Sequence, residues 1–378
     1  MIRVNAISFM NSFVAGALTL LIPLLLLARN VDLAEIGLVL SVLPIVFLVS
    51  RLLFAAIADQ IGWSHILLLV HWPATLISSA IYYVANSFPP FVAGKIVEGL
   101  RESSYWAVSR TAIFQLSPKQ AGREATRTNA IIWLATAAGS AAAGVGIAYL
   151  GFSPTILLLI LSSALIGIPS GLLWKIGKKA STSKSQTLLS MFDLRRKGKT
   201  FWQISLVLIF SGFANYPLVA LLLPVFMDQQ MGYSYVQIGL LFMLYNLIAS
   251  LATFLTLKTS LSLRRAVIQS IITVLTSAFL AGSGLAFPLL LCALAFARGL
   301  STAFFEHLVA RVAMCEKSVS FGVSLLHVPF RMAEFLSVLT FGFVAQTLGY
   351  GPVFAATGIF SAVFSLTAFH LVRTDNYP

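Results

Sequence analysis

The sequence predicts an all-α membrane protein of twelve transmembrane helices, arranged as two pseudo-symmetric six-helix bundles. Of its 378 residues, 58% are hydrophobic and only 10% are charged, whereas soluble proteins carry about 25% charged residues. Apolar runs of about 18 residues or more, each able to cross a hydrocarbon core of about 30 Å as a helix, recur along the whole length. One long polar stretch, residues 175–200, divides these runs into six and six.

Short polar or Gly- and Pro-containing breaks separate the spans, as at residues 30–32, 87–90 and 349–352. The first run is followed by Arg29 and Asp32 and not by a small-residue cleavage site, so we interpret it as a helix and not as a signal peptide. A β-barrel is disfavoured because its strands alternate apolar and polar residues. The predicted spans are 5–27, 33–56, 65–85, 89–113, 128–150, 153–174, 201–226, 235–257, 265–284, 286–312, 321–347 and 352–372.

The distribution of basic residues predicts the orientation. Nineteen of the 25 Lys and Arg, Arg110 among them, fall on one side of the membrane, Arg29 falls on the other, and five lie inside spans. Cytoplasmic loops carry the excess of basic residues, so we expect a multi-pass plasma-membrane protein with both termini in the cytoplasm. The net charge of +13 then reflects these loops and not nucleic-acid binding. Residues 175–200 are expected to be a basic linker lying on anionic lipid, with a regulatory or partner-binding role as the alternative.

The two halves contain short matching segments. Residues 22–24, 35–38, 98–100 and 150–154 match residues 223–225, 237–240, 298–300 and 348–352, at offsets of 198 to 202. Such a repeat predicts bundles of residues 1–174 and 201–378 around an axis along the membrane normal, with a cavity between them, as in transporters. The small residues 139–146 of span 5 are expected to allow close helix packing, with a hinge role as the alternative.

A motif between spans 2 and 3 resembles the major facilitator superfamily. The family pattern there is roughly G-x-L-A-D-R-x-G-R-R, and this chain has Ala58, Asp59 and Gly62 at the matching spacing. The layout of six plus six spans extends the resemblance to nearly the whole chain. The resemblance implies that Asp59 takes part in a cytoplasmic charge latch that favours an outward-open state, whereas the plainer alternative is a residue that only helps a loop to turn. Gly62 permits a tight turn.

The basic positions of this motif hold non-basic residues in this chain. We therefore expect any partner of Asp59 to come from Arg123, Arg127 or the start of span 11.

Ionisable residues inside the spans are the candidates for solute binding and ion coupling, because such residues face the protein interior or a water-filled cavity. Helical spacing aligns Lys95, Glu98, Arg101 and Glu102 in span 4, Arg298, Thr302 and Glu306 in span 10, and His327, Arg331 and Glu334 in span 11. A rise of about 1.5 Å per residue puts six of these near mid-depth: Glu98, Arg101, Glu102, Arg298, Arg331 and Glu334. Asn11 and Asn215 are further candidates, either as cavity-lining residues or as bridges between helices.

Two interpretations of these charges remain open. Glu98 with Arg101, and Arg331 with Glu334, are pairs that would only hold helices together. Alternatively, Glu102 or Glu334 takes up and releases a proton during transport, because an apolar cavity disfavours the ionised carboxylate. The three arginines stay cationic and are able to receive an anionic group. The six charges sum to zero, so the sign of the solute is left open.

The sequence contains no phosphate-binding loop and no hydrolase or metalloprotease motif. Cys292 and Cys315 have neither a metal-binding nor a disulfide pattern. We therefore expect no enzymatic activity, metal or cofactor, and a proton gradient as the energy source.

The predicted function is a secondary active transporter that moves a small organic or amphipathic solute by alternating access, as proton-coupled efflux. One alternative is an uptake carrier for an organic anion held by Arg101, Arg298 and Arg331, and the other is a non-transporting membrane scaffold or receptor with the same fold. The expected partners are a small-molecule solute and the lipid bilayer, and we expect a monomer that binds no nucleic acid.

Overall fold

The computed structural model describes residues 1–117, 121–174, 197–256, 261–315 and 319–373. Within these ranges the regular structure is helical, and twelve long helices follow one another along the chain. They are α1 (Ile2–Ala28), α2 (Leu33–Ile61), α3 (Trp63–Val84), α4 (Phe88–Leu116), α5 (Ala121–Leu150), α6 (Phe152–Leu173), α7 (Lys199–Gln229), α8 (Tyr235–Thr256), α9 (Leu263–Leu280), α10 (Phe287–Cys315), α11 (Phe321–Leu348) and α12 (Tyr350–Arg373). We call α1–α6 the first half and α7–α12 the second half.

Eleven of the described helices are long and apolar enough to cross a membrane. The remaining long helix, α4, has 29 residues and is therefore about 43 Å long, but it carries several charged side chains. Arg110, which was counted from the sequence among the basic residues on one side of the membrane, lies within α4 and is 8% exposed. Large apolar side chains such as Leu69, Leu161 and Phe279 are exposed, as expected for residues that face lipid. The predicted all-α membrane fold is confirmed, while the predicted linker lies outside the described residues except for 197–200.

The connection between α2 and α3 is a single residue, Gly62. Its φ of 96° and ψ of 142° lie in a region that residues with a Cβ rarely adopt, which explains why glycine occupies this tight turn. At the other end of α2, the Asp32 side chain accepts a hydrogen bond of 2.8 Å from the Glu35 amide. A carboxylate in this position satisfies a free amide at the helix N-terminus and starts the helix.

Prolines interrupt two of the long helices. In α3 the segment Leu67–His71 forms a π-helical turn directly before Trp72 and Pro73, and in α7 the segment Leu218–Leu222 does so between Pro217 and Pro224. Proline has no amide hydrogen and collides with the preceding turn, so the regular hydrogen-bond pattern shifts nearby.

The two halves meet at both ends of the helix bundle, which we name the α1–α2 end and the α2–α3 end after the connections that they carry. At the α1–α2 end, α5 packs on α8 so closely that a Cβ built on Gly239 would lie 2.8 Å from the Cα of Gly144. This contact confirms the expectation of close packing for residues 139–146. At the same end, α11 packs on α2, and a Cβ built on Gly342 of α11 would lie 3.4 Å from the Cα of Gly37 of α2. At the α2–α3 end, Ala56 belongs to the hydrophobic cluster of Phe201 and other second-half residues.

Candidate solute-binding cavity

A cavity of about 280 Å³ lies between the two halves. Its walls come from α2, α4 and α5 of the first half and from α7, α10 and α11 of the second half. Six charged side chains line it, namely Arg51, Arg110, Arg298, Glu306, Arg331 and Glu334, together with His327, which is counted as neutral at pH 7. Asn129, Asn215, Ser211, Ser301 and Thr302 add hydrogen-bonding groups. The cavity therefore combines the enclosure and the polar groups that a solute site requires.

Arg331 and Glu334 form an ion pair on the wall that α11 contributes. Their spacing of three residues puts both side chains on the same face of the helix. The guanidinium carbon of Arg331 also lies 3.7 Å from the centroid of the Phe47 ring, on α2 of the opposite half. Arg331 Nε is buried and has no hydrogen-bond partner among the described residues. The pair thus contacts both halves, and the Nε–H group of Arg331 remains available as a hydrogen-bond donor.

Arg298 lies on the wall that α10 contributes. Its guanidinium carbon is 4.8 Å from the ring centroid of Trp133 of α5 and 5.6 Å from that of Tyr245 of α8. Arg298 Nη1 donates a hydrogen bond of 2.9 Å to the Tyr245 hydroxyl. Contacts of a guanidinium with aromatic faces are favourable and strengthen when water is excluded. Arg298 is therefore oriented by aromatic rings from both halves.

Arg110 and Glu306 form an ion pair between α4 and α10. Both guanidinium nitrogens take part, and Arg110 Nη2 lies 2.6 Å from Glu306 Oε1. Such two-point pairs are strong and geometrically specific.

Arg51 of α2, which is 3% exposed, lies beside this pair in the wall of the cavity. Its Nη2 donates a long hydrogen bond of 3.4 Å to the carbonyl of Trp106, and its guanidinium carbon is 5.3 Å from the centroid of the Phe47 ring.

The charges of the cavity do not cancel. Glu306 neutralises Arg110 and Glu334 neutralises Arg331, whereas Arg51 and Arg298 belong to none of the ion pairs within the described part of the chain. Four arginines against two glutamates leave an excess of two positive charges. Because a charge is costly in a low-dielectric environment without a counter-charge, the cavity favours an anionic occupant.

The structure places the predicted site residues in two groups. Asn215, Arg298, Arg331 and Glu334 line the cavity. Glu98 and Arg101 instead lie inside the first half, where Arg101 is 0% and Glu98 3% exposed. Neither residue belongs to the lining of the cavity.

Glu98 is the centre of a buried ionic network. It accepts hydrogen bonds of 2.8 Å from Lys95 Nζ and 2.6 Å from the Tyr82 hydroxyl, and its other carboxylate oxygen lies 3.6 Å from Arg101 Nη2. Arg101 Nη2 also donates to Glu102, at 2.6 Å. This network includes the pairing of Glu98 with Arg101 that was considered from the sequence.

Glu102 lies at the border between this network and the cavity. Its second carboxylate oxygen accepts a hydrogen bond of 2.9 Å from Trp106 Nε1, and Trp106 lines the cavity. Glu102 itself is not part of the lining, so its connection to the cavity runs through the indole ring.

The remaining candidates lie away from the cavity. Asn11 of α1 is buried, and its Oδ1 has no hydrogen-bond partner among the described residues. Asp59 is half-buried near the end of α2, three residues before Gly62. Of the basic residues considered as partners for Asp59, Arg127 is exposed and lies 3.8 Å from Glu124, and the side chain of Arg123 lies outside the described residues.

Several lining residues were not among the mid-depth charges and asparagines selected from the sequence: Arg51, Arg110, Trp133 and Glu306. Two of them carried a signal, because Arg51 lies inside a predicted span and Glu306 is aligned with Arg298 along α10. Pairing Glu306 with Arg110 needs the position of α4 relative to α10, which spacing along one helix does not contain. Within the described residues, no group of His, Cys, Asp and Glu side chains is arranged to hold a metal ion.

Comparisons with known proteins give the family of this chain and a structure of similar fold. A family model described as Major Facilitator Superfamily matches residues 4–314. The crystal structure of the human organic anion transporter MFSD10 (TETRAN) matches with a TM-score of 0.68 and 19% sequence identity, over 98% of this chain and 99% of that chain. At this identity the likeness is one of fold. A search of the curated proteins finds no match.

Proposed function

This chain belongs to the major facilitator superfamily of membrane transporters, and from this premise we propose that it is a secondary active transporter for a small organic anion. The observation that carries the proposal is the excess of two positive charges in the cavity between the halves. A neutral solute leaves these charges uncompensated, and a cationic solute adds to them. The structurally similar human protein is itself described as an organic anion transporter, which is consistent with this solute class.

Arg298 and Arg51 are the proposed anion-binding groups. Both guanidinium groups lie in the cavity wall without an acidic partner among the described ion pairs. A guanidinium remains charged at all physiological pH values and presents several donors to a carboxylate, sulfonate or phosphate oxygen. The hydrogen-bonding side chains nearby, such as Asn215 and Thr302, complete the contacts with the polar part of the solute.

Glu334 is the proposed coupling group. Its carboxylate holds Arg331, and Arg51 and Arg298 also act on it electrostatically. A proton on Glu334 leaves Arg331 without its counter-charge, so the positive charge of the cavity rises and an anion at Arg298 and Arg51 binds more tightly. Proton and anion then bind together and move in the same direction, which favours proton-driven uptake over the efflux expected from the sequence.

The transport cycle follows from the contacts at the two ends of the bundle. Separation of α5 from α8 near Gly144 and Gly239, and of α2 from α11, opens the cavity at the α1–α2 end. Breaking the pair of Arg110 with Glu306 opens it at the α2–α3 end. Rocking of two halves about a central site is the usual mode of such repeats. We propose that the α2–α3 end and both termini face the cytoplasm and that the membrane is the plasma membrane.

The test is uptake into proteoliposomes that contain the purified protein. Cyclohexanesulfonate and benzenesulfonate are suitable radiolabelled probes, because their fixed charge prevents leakage as neutral acids, and benzyltrimethylammonium is the cationic control. We expect both sulfonates, and not the cation, to accumulate when the outer solution is acidic. Arg298→Gln should abolish this uptake, while Arg127→Gln, at an exposed site, should preserve it.

Sulfonate flux equal to that of protein-free liposomes would contradict the proposal and favour a non-transporting scaffold or receptor. Preferential accumulation of benzyltrimethylammonium would contradict the assigned sign of the solute. Accumulation only with an alkaline outer solution would contradict the shared direction of proton and anion.

A further inference from the structure

The apolar part of the cavity wall is aromatic. Five aromatic side chains line it, namely Trp106, Trp133, Tyr216, Phe305 and Phe330, and Ile132 is the only aliphatic side chain larger than threonine in the described lining. In the whole chain, hydrophobic residues make up 58% and aromatic residues 12%, so aliphatic residues dominate elsewhere. A wall that only had to exclude water would have the composition of the rest of the interior. The concentration of rings at this site therefore indicates recognition of a particular kind of surface.

These rings surround an arginine whose plane is already fixed. Tyr245, which is 1% exposed, supports Arg298 from within the second half and accepts its hydrogen bond. Trp133 contacts the guanidinium from the first half, at 4.8 Å. Trp133 and Tyr245 thus hold the guanidinium in place, and the N–H groups at its edge that do not bind Tyr245 are the part that remains for an anion.

Arg298 is also accessible to an incoming solute. Arg51 and Arg331 each have an Nε that is sealed from solvent and unpartnered within the described residues. Arg298 is half-buried, lines the cavity and has no sealed nitrogen of this kind in the described structure. An anion that approaches its edge brings the rest of its structure against Trp133 and the neighbouring rings.

We infer that the transported solute is an aromatic anion, whose acidic group binds the edge of Arg298 and whose ring stacks among Trp133 and the other aromatic side chains of the wall. This inference rests on the proposed function. Ring pairs in offset-stacked or edge-to-face geometry gain stability beyond the burial of apolar area. The gain corresponds to about a two- to tenfold increase in affinity for one ring pair. Trp133 and Arg298 are then the residues that determine specificity.

The experiment compares benzenesulfonate with cyclohexanesulfonate by isothermal titration of the full-length protein in lipid nanodiscs. The two probes share the acidic group and the six-membered ring, and the saturated ring is the more hydrophobic. A merely apolar cavity would therefore prefer cyclohexanesulfonate. We expect benzenesulfonate to bind about two- to tenfold more tightly.

Substitutions assign this preference to the residues. Trp133→Leu should bring the two affinities within twofold of each other, through loss of benzenesulfonate affinity alone. Arg298→Gln should weaken both probes at least tenfold. The matched control is Trp202→Leu, because Trp202 packs on Phe201 and is not part of the cavity lining; it should keep the wild-type preference.

The outcomes separate this inference from the proposed function. Equal affinities, or tighter binding of cyclohexanesulfonate, to the wild-type protein would overturn the aromatic assignment and leave an anion transporter. Absence of binding of either sulfonate would overturn the proposed function. If Trp133→Leu does not fold, Trp133→Phe, which keeps a ring, should retain a preference for benzenesulfonate, and its loss there would contradict the role of the ring.

Discussion

Arg110 of α4 and Glu306 of α10 join the two halves of the molecule through a two-point ion pair at the α2–α3 side of the cavity. Their side chains are only 10% and 12% exposed, so water does little to replace the interaction when it breaks. The contact must nevertheless break if the cavity is to open at this end. Arg110 with Glu306 is therefore the proposed gate between the cavity and the cytoplasm.

Glu306→Gln should open this gate more often, because the substitution leaves Arg110 without a counter-charge. Removal of one partner from a buried pair costs about 3–5 kcal/mol, which is sufficient to shift an equilibrium between closed and open states. The measurement is the reaction of Thr302→Cys, at a cavity-lining position, with a hydrophilic maleimide applied at the α2–α3 side. The parent protein has both native cysteines replaced by serine. We expect at least tenfold faster labelling.

The matched control for the gate is Glu124→Gln, which removes a carboxylate whose ion pair with Arg127 lies within the first half. Its labelling rate should equal that of the parent. The charge-swapped double variant Arg110→Glu with Glu306→Arg should return the rate towards the parent value. A Glu306→Gln protein with an unchanged labelling rate would rule out a gating role for the pair.

Glu334→Gln should remove the pH dependence of sulfonate binding. In the wild-type protein, affinity should rise as the pH falls, because protonation of Glu334 leaves Arg331 without its counter-charge and makes the cavity more positive around the anion. The amide imitates the protonated carboxyl group, so the variant should bind with the low-pH affinity at every pH. Titration of benzenesulfonate binding between pH 5 and pH 8 provides the measurement, since this probe does not titrate in that range. A variant that keeps the wild-type pH profile would exclude Glu334 as the coupling group.

Glu98→Gln should destabilise the protein without changing solute affinity. The substitution leaves Lys95 and Arg101 in a buried site without their shared acid, which costs about 3–5 kcal/mol. Because Glu98 does not line the cavity, the dissociation constant of benzenesulfonate should stay within twofold. Thermal unfolding and titration of the same preparation test both statements. An affinity loss without a lower Tm would show that Glu98 acts on the solute.

Gly239→Ala should weaken the contact of α5 with α8. The added Cβ would lie 2.8 Å from the Cα of Gly144 and 3.0 Å from the carbonyl oxygen of Ser140, so the helices must move apart. Overpacking of this kind typically costs about 1–3 kcal/mol and should lower the Tm. Gly171→Ala is the control, because its Cβ would meet no atom within 4 Å. Equal melting temperatures for the two variants would argue against tight packing at this contact.

Part of the site could be predicted from the sequence, because some of the charged residues inside the spans line the cavity and others do not. Arg298, Arg331 and Glu334 were predicted as site residues because a charged residue in an apolar span is costly and usually has a functional or structural role. Arg101 satisfied the same criterion, yet it lies inside the first half with Glu98 and Glu102. Depth along a helix follows from residue number, whereas the direction in which a side chain points depends on how that helix packs.

The net charge of the cavity depends on which charged side chains point into it, and not only on their depth along the helices. Six candidate charges taken from the spans sum to zero, while the six that line the cavity leave an excess of two positive charges. Arg51 and Arg110 replace Arg101, and Glu306 replaces Glu98 and Glu102. Only the arrangement of helices around the cavity determines which of these residues face one another.

The number of long helices, their approximate bounds and the tight turn at Gly62 could be predicted from the sequence, because hydropathy and backbone preference are local properties of the chain. The pairing of Arg110 with Glu306 and the contact of Trp133 with Arg298 could be read only from the packed helices. Each of these contacts joins residues more than 160 positions apart, on helices whose relative rotation is set by the packing of many side chains at once.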